Sequence, residues 1–124
     1  PFIFITFGPK TLIELTKSFK AAVDKNAIYL HQYKTIKEIE VTLKNGGFNI
    51  LSVFSELVTQ KYLNFRDMFR TIKGVGALNA STELPKGLRS KTKIQSLIEY
   101  YENNFSHKDG IFATYEVIQS ISQK

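Results

Sequence analysis

Residues 61 to 93 hold eight basic side chains, Lys61, Arg66, Arg70, Lys73, Lys86, Arg89, Lys91 and Lys93, against only Asp67 and Glu83. That stretch carries the whole net charge of +6 of the 124-residue chain, because residues 1 to 60 (seven Lys, five acids) and 94 to 124 (two Lys, four acids) cancel. A field so concentrated raises the encounter rate with an anion, whether nucleic acid, an acidic protein or a phosphorylated small molecule; its ordinary alternative is a solvated face. Arg66 and Arg70 are better suited than Lys to grip a carboxylate, since a planar guanidinium makes two charge-assisted bonds at once.

Other reactive types are sparse. His31 and His107 lie 76 positions apart with no carboxylate at a fixed local spacing, and read as a loop residue and a surface residue. With no cysteine, thiolate chemistry and a disulfide framework are excluded, and no metal-ligand cluster is visible. Glu56 and Glu116 fall in strand-like segments, where an exposed or ion-paired face is the ordinary reading. Gly74-Val-Gly76 after a basic helix reads as a helix terminator or as a close backbone approach to a ligand. No Gly-x-Gly-x-x-Gly or phosphate-binding loop occurs, so catalytic residues are not identified by spacing.

The elements that must carry these residues follow from hydrophobic period and capping. Phe2-Ile-Phe-Ile-Thr-Phe7 runs without polar alternation into Gly8-Pro9, the pattern of a strand covered on both faces. It begins abruptly, without an initiator Met, so the chain reads as the later part of something longer. Thr11-Leu-Ile-Glu14 and Thr35-Ile-Lys-Glu38 both have the spacing of capping boxes. They predict a helix over about residues 12 to 23, with Leu12, Leu15, Phe19 and Ala22 on one face, and a shorter one with Ile36, Ile39 and Leu43 inward, stopped by Gly46-Gly47. Residues 24 to 34 read as a packed lid. Residues 48 to 60 read as a strand partly covered on each side. Asn64 can cap a third helix with Phe65, Met68, Phe69 and Ile72 inward; residues 81 to 90 are loop-like, and a fourth helix over about 91 to 103 groups Ile94, Leu97, Ile98 and Tyr101. Lys108-Asp-Gly110 turns into a last strand, 111 to 121.

The order is thus β, α, α, β, α, α, β in a single α/β domain, with 43% apolar residues for its core. Its apolar runs are too short to span a membrane, no targeting segment opens it, and a cytoplasmic location is expected.

Asn64-Phe-Arg-Asp-Met-Phe-Arg-Thr-Ile-Lys-Gly-Val-Gly-Ala-Leu-Asn79 resembles the C-terminal half of the biotin-synthesis methyltransferases, the malonyl-[acyl-carrier protein] O-methyltransferase family. In that family a helix ending in Leu-Lys-x-Ile-Gly-Ala-Thr follows a long strand, and Ile72-Lys-Gly-Val-Gly-Ala77 matches it. Phe4-Ile-Thr-Phe-Gly-Pro-Lys-Thr-Leu-Ile-Glu-Leu15 is similar to its late central strand followed by Gly-Pro-x-Thr-Leu-x-Glu-Leu, and Thr114-Tyr-Glu-Val-Ile118 to its closing strand.

The resemblance implies the C-terminal half of a Rossmann-like class I methyltransferase, with sheet order 3-2-1-4-5-7-6, of which residues 1 to 124 supply strands 5, 6 and 7. Residues 2 to 7 are then expected beside the last strand and residues 48 to 60 on its other side. Segments 11 to 46 and 64 to 104 correspond to helical insertions covering the substrate. The family's cofactor, S-adenosylmethionine, is held by residues of the missing N-terminal half, so no cofactor-binding residue is carried over and this piece alone is expected to be inactive. What carries over is the substrate side: an acidic acyl carrier protein bearing malonyl, with Arg66, Arg70, Lys73, Lys86, Arg89 and Lys91 as the residues that recognise the carrier protein or the substrate carboxylate. No metal, nucleic acid or membrane is expected as partner. Two rival readings use the same residues. In one, a nucleic-acid-binding module stacks bases on Tyr62, Phe65 and Phe69; in the other, a structural or interaction domain pairs through residues 2 to 7.

Overall fold

The computed structural model describes residues 1 to 23, 32 to 74 and 91 to 124. Residues 24 to 31 of the lid expected at 24 to 34, and the loop expected at 81 to 90, lie outside the described residues, as do His31, Gly76, Lys86 and Arg89. Strand β1 (Phe2–Phe7) is followed by helices α1 (Ile13–Ala22) and α2 (Ile36–Asn45), strand β2 (Asn49–Tyr62), helices α3 (Phe65–Gly74) and α4 (Lys91–Asn104), a two-residue strand β3 (Ser106–His107), and β4 (Gly110–Gln123). Only β3 was unforeseen, because two residues have no period to read.

The sheet runs β1-β4-β2, with the last strand in the middle, as the resemblance implies. β1 and β4 are antiparallel, in a register that sets Phe2 opposite Ser122 and Phe7 opposite Val117. β3 returns antiparallel on the start of β4, pairing Ser106 with Ile111. Buried positions along β4 are Ile111 and Ala113, then Glu116, Ile118, Ser120 and Ser122, so the alternation slips by one residue at Thr114 and Tyr115.

The chain divides into two units, each assembled from several segments. The first comprises Pro1–Thr11, Gln32–Thr59 and Thr114–Lys124. Its core sets Ile39 and Leu43 of α2 against Ile118 of β4, with Ile36, Phe48, Ile50 and Val53 around them. α2 begins as predicted: the Thr35 hydroxyl accepts from the Glu38 amide at 3.2 Å and the Glu38 carboxylate accepts from the Thr35 amide at 3.2 Å. It ends at Gly46, after which Gly47 takes φ 87, a left-handed conformation that favours glycine.

β1 departs from expectation. It is not covered on both faces, for Ile3 is 57% and Ile5 63% exposed, and Phe2 and Phe4 are 42% and 37% exposed. Among the described residues its sheet partner is β4, on one side.

The second unit comprises Leu12–His31 and Gln60–Ala113. Here α4 packs against α1 and α3, burying Leu12, Leu15, Phe19, Met68, Ile72, Leu97 and Tyr101. The Tyr101 hydroxyl donates to the Phe112 carbonyl at 2.6 Å, and its ring meets Phe65 and Phe105 edge-on with centroids 5.6 and 5.2 Å apart. A buried phenol needs such a partner for its O–H, so this bond ties α4 to the beginning of β4.

Candidate functional site: a cationic groove and a strand-end elbow

α3 is capped as predicted, the Asn64 side-chain oxygen accepting from the Asp67 amide at 2.9 Å. Its inward residues Phe65, Met68 and Ile72 are buried. The helical period therefore leaves Arg66, Arg70 and Lys73 exposed on the opposite side, at i, i+4 and i+7. Between α3 and α4 opens a groove of about 370 Å³, lined by Phe65, Phe69, Ile94, Leu97 and Ile98 and bordered by those three cations. Its floor is apolar and its border positive.

The structure thus brings Arg66, Arg70 and Lys73 together. Lys91 is exposed in the first turn of α4 and does not line the groove, while Lys86 and Arg89 fall outside the described residues. Gly74 is the last described residue of α3, and a Cβ there would meet nothing within 4 Å among the described residues. Of the stacking rival's three rings, Phe65 is only 6% exposed and lies against Phe69 with centroids 5.7 Å apart, while Tyr62 and Phe69 are half-buried.

A second hollow of about 360 Å³, beside Glu40, Lys44 and Phe48, has one acid and one base and so no net preference for either sign. No group of three or more His, Asp or Glu that could hold a metal occurs among the described residues.

Two sequence readings are corrected at the end of β1. Thr11 does not cap α1: the N-cap is Leu12, with no side-chain capping bond and a left-handed backbone at φ 59, ψ 37. The Thr11 hydroxyl is engaged by β4 instead, accepting from the Glu116 amide at 3.1 Å and donating to the Glu116 carbonyl at 3.3 Å. A partner 105 residues away outcompetes the local one. Glu116, expected on an exposed or ion-paired face, is buried, and its Oε1 accepts from the Lys10 amide at 3.1 Å. Gly8 donates its amide to the Glu116 carbonyl at 2.8 Å, and a Cβ on Gly8 would collide with the Glu116 carboxylate and the Ile118 side chain. The Gly8-Pro9 pair signalled a turn; what it turns around was not legible.

His107, expected on the surface, is half-buried, with Nδ1 accepting from the Asp109 amide at 3.4 Å. Its Nε2 is buried and has no hydrogen-bond partner among the described residues.

An α/β chain whose sheet holds its last strand between the first and second long ones is compatible with part of a methyltransferase fold. The particular methyltransferases are then given by similarity: the chain resembles the C-terminal part of malonyl-[acyl-carrier protein] O-methyltransferases. It is 29% identical to the one from Geobacter sulfurreducens, over 99% of this chain and 48% of that protein. It is 31% identical to that of Brevibacillus brevis, over 95% of this chain and 44% of the relative. A biotin biosynthesis bifunctional protein of Saccharophagus degradans is 27% identical over 93% of this chain and 21% of its own length. The chain therefore spans less than half the length of these relatives. No family model matches it.

Proposed function

We propose that the chain is the C-terminal part of a cytoplasmic malonyl-[acyl-carrier protein] O-methyltransferase of biotin synthesis, transferring a methyl group from S-adenosylmethionine to the free carboxylate of malonyl carried on its protein. The observation that carries this is the similarity over 95 to 99% of the chain to relatives so named. In this reading β1, β2 and β4 stand as strands 5, 6 and 7, and residues 11 to 46 and 64 to 104 are the substrate cover.

In this reading the residues that hold S-adenosylmethionine belong to the half of these relatives that the chain does not span. This piece alone is accordingly inactive in our reading, and calorimetry should find no micromolar affinity for the cofactor. Its own part is recognition. Arg66, Arg70 and Lys73, with Lys86, Arg89 and Lys91 further along the basic stretch, meet the acidic carrier protein and its substrate.

The decisive experiment uses an enzyme that includes the cofactor half. Charge reversal of Lys86, Arg89 and Lys91 should raise KM for the malonyl carrier protein at least tenfold and for malonyl-CoA less than twofold, with the carrier-protein effect shrinking at high salt. Equal losses on both substrates, or none, would count against recognition of the carrier protein by these residues.

A further inference from the structure

β2 ends the sheet on the side away from β1, and little in it discourages a neighbour. It is 14 residues long, against about 5 to 6 for an ordinary strand, and among the described residues it pairs on one side, with β4. Leu51, Phe54, Leu57 and Val58 are 53, 49, 57 and 39% exposed, so apolar side chains stand open on both faces of the strand. Natural edge strands are kept single by Lys, Pro, inward charges or brevity. From residue 49 to 60 β2 has no Pro, no Gly and one charged side chain, Glu56.

Charge selects what this edge takes. The excess of +6 lies in residues 61 to 93, where an acidic partner is drawn and where two copies of the chain repel each other. The stretch from 49 to 60 offers an acidic partner nothing, yet it lets two cationic chains meet without opposing their charges. A strand run antiparallel about a two-fold axis is also its own complement, and such a pair closes on itself.

We propose that β2 pairs antiparallel with β2 of a second copy of this chain, across a two-fold axis near Phe54, the middle of the exposed apolar run. The sheet then continues as β1-β4-β2-β2-β4-β1, and Leu51, Leu57 and Val58 of each copy cover those of the other. An axis at Glu56 would set two acids face to face; one near Phe54 does not.

The chain has no cysteine, so a single introduced one reports the contact. Residues opposed in an antiparallel pair have Cα atoms about 4.5 to 5.5 Å apart, within reach of a disulfide. Phe54→Cys should therefore oxidise to a covalent dimer at least tenfold faster than Val41→Cys, a position on α2 that is 52% exposed. Sedimentation equilibrium is run with Ile3→Lys and Ile5→Lys in place, so that β1 takes no part. The chain should then be a dimer at about 50 µM, and adding Phe54→Lys with Leu57→Lys should raise the dissociation constant at least tenfold with circular dichroism unchanged. The cysteine variants need none of these lysines, so a loss of fold in the latter does not decide the matter. A monomer at that concentration would overturn the proposal and leave the edge to another partner. So would a dimer indifferent to the β2 lysines, or cross-linking no faster at residue 54 than at 41.

Discussion

Thr11 and Thr35 start from the same local pattern and end with different work, and their removal should differ accordingly. Thr11→Val keeps the shape but leaves the buried Glu116 amide without an acceptor, which should destabilise the chain by about 1–3 kcal/mol in urea unfolding. Leu12, held left-handed beside it, adds about 1–2 kcal/mol of backbone strain that the packing of its buried side chain must offset. Tyr33 supplies a pH test. Its ring meets Phe7 edge-on with centroids 5.8 Å apart, and burial pushes its phenol above the ordinary value of 10.0. The folded chain then keeps that proton to higher pH than the unfolded chain does. The stability linked to it is complete below pH 10 and is lost as the pH rises from there through the folded-state value. Urea melts between pH 8 and 11 should find Tyr33→Phe losing less stability above pH 10 than the parent chain.

Among the elements, those with strong local signals were legible. α2 carried a capping box, an inward face and a glycine stop within a dozen residues, and it formed as read. Because its cap is exposed, Thr35→Ala should cost only about 1 kcal/mol, with faster amide exchange confined to the first turn of α2. α3 likewise declared which residues face inward, and by exclusion which cations face out. What could not be read depends on residues far apart in the chain. Thr11 found its partner across 105 positions, and Glu116 became buried because the end of β1 folds over it. The groove needs α3 and α4 side by side, which no single helix's period can announce. Its cations were visible one by one as a charged stretch, and its apolar floor was read as core.

At the scale of the whole molecule, β1 combines exposed apolar side chains with pairing on one side among the described residues, and such a strand invites another. Sedimentation should find concentration-dependent self-association of this chain, and the double substitution Ile3→Lys with Ile5→Lys should shift it toward monomer with little loss of stability. No such shift would mean that the edge is harmless. The order β1-β4-β2 has a further consequence, for synthesis. On the ribosome β1 emerges first of these elements, yet the strand it pairs with is the last, with Phe2 meeting Ser122. Contacts so distant in the chain form slowly. For about a hundred residues of translation, lasting roughly 5 to 20 s, a bare Phe-Ile-Phe-Ile segment waits without its mate. A chaperone that shields nascent apolar strands would have its main client in those four residues, and the yield of folded chain should depend on translation speed more than on the stability of the finished sheet.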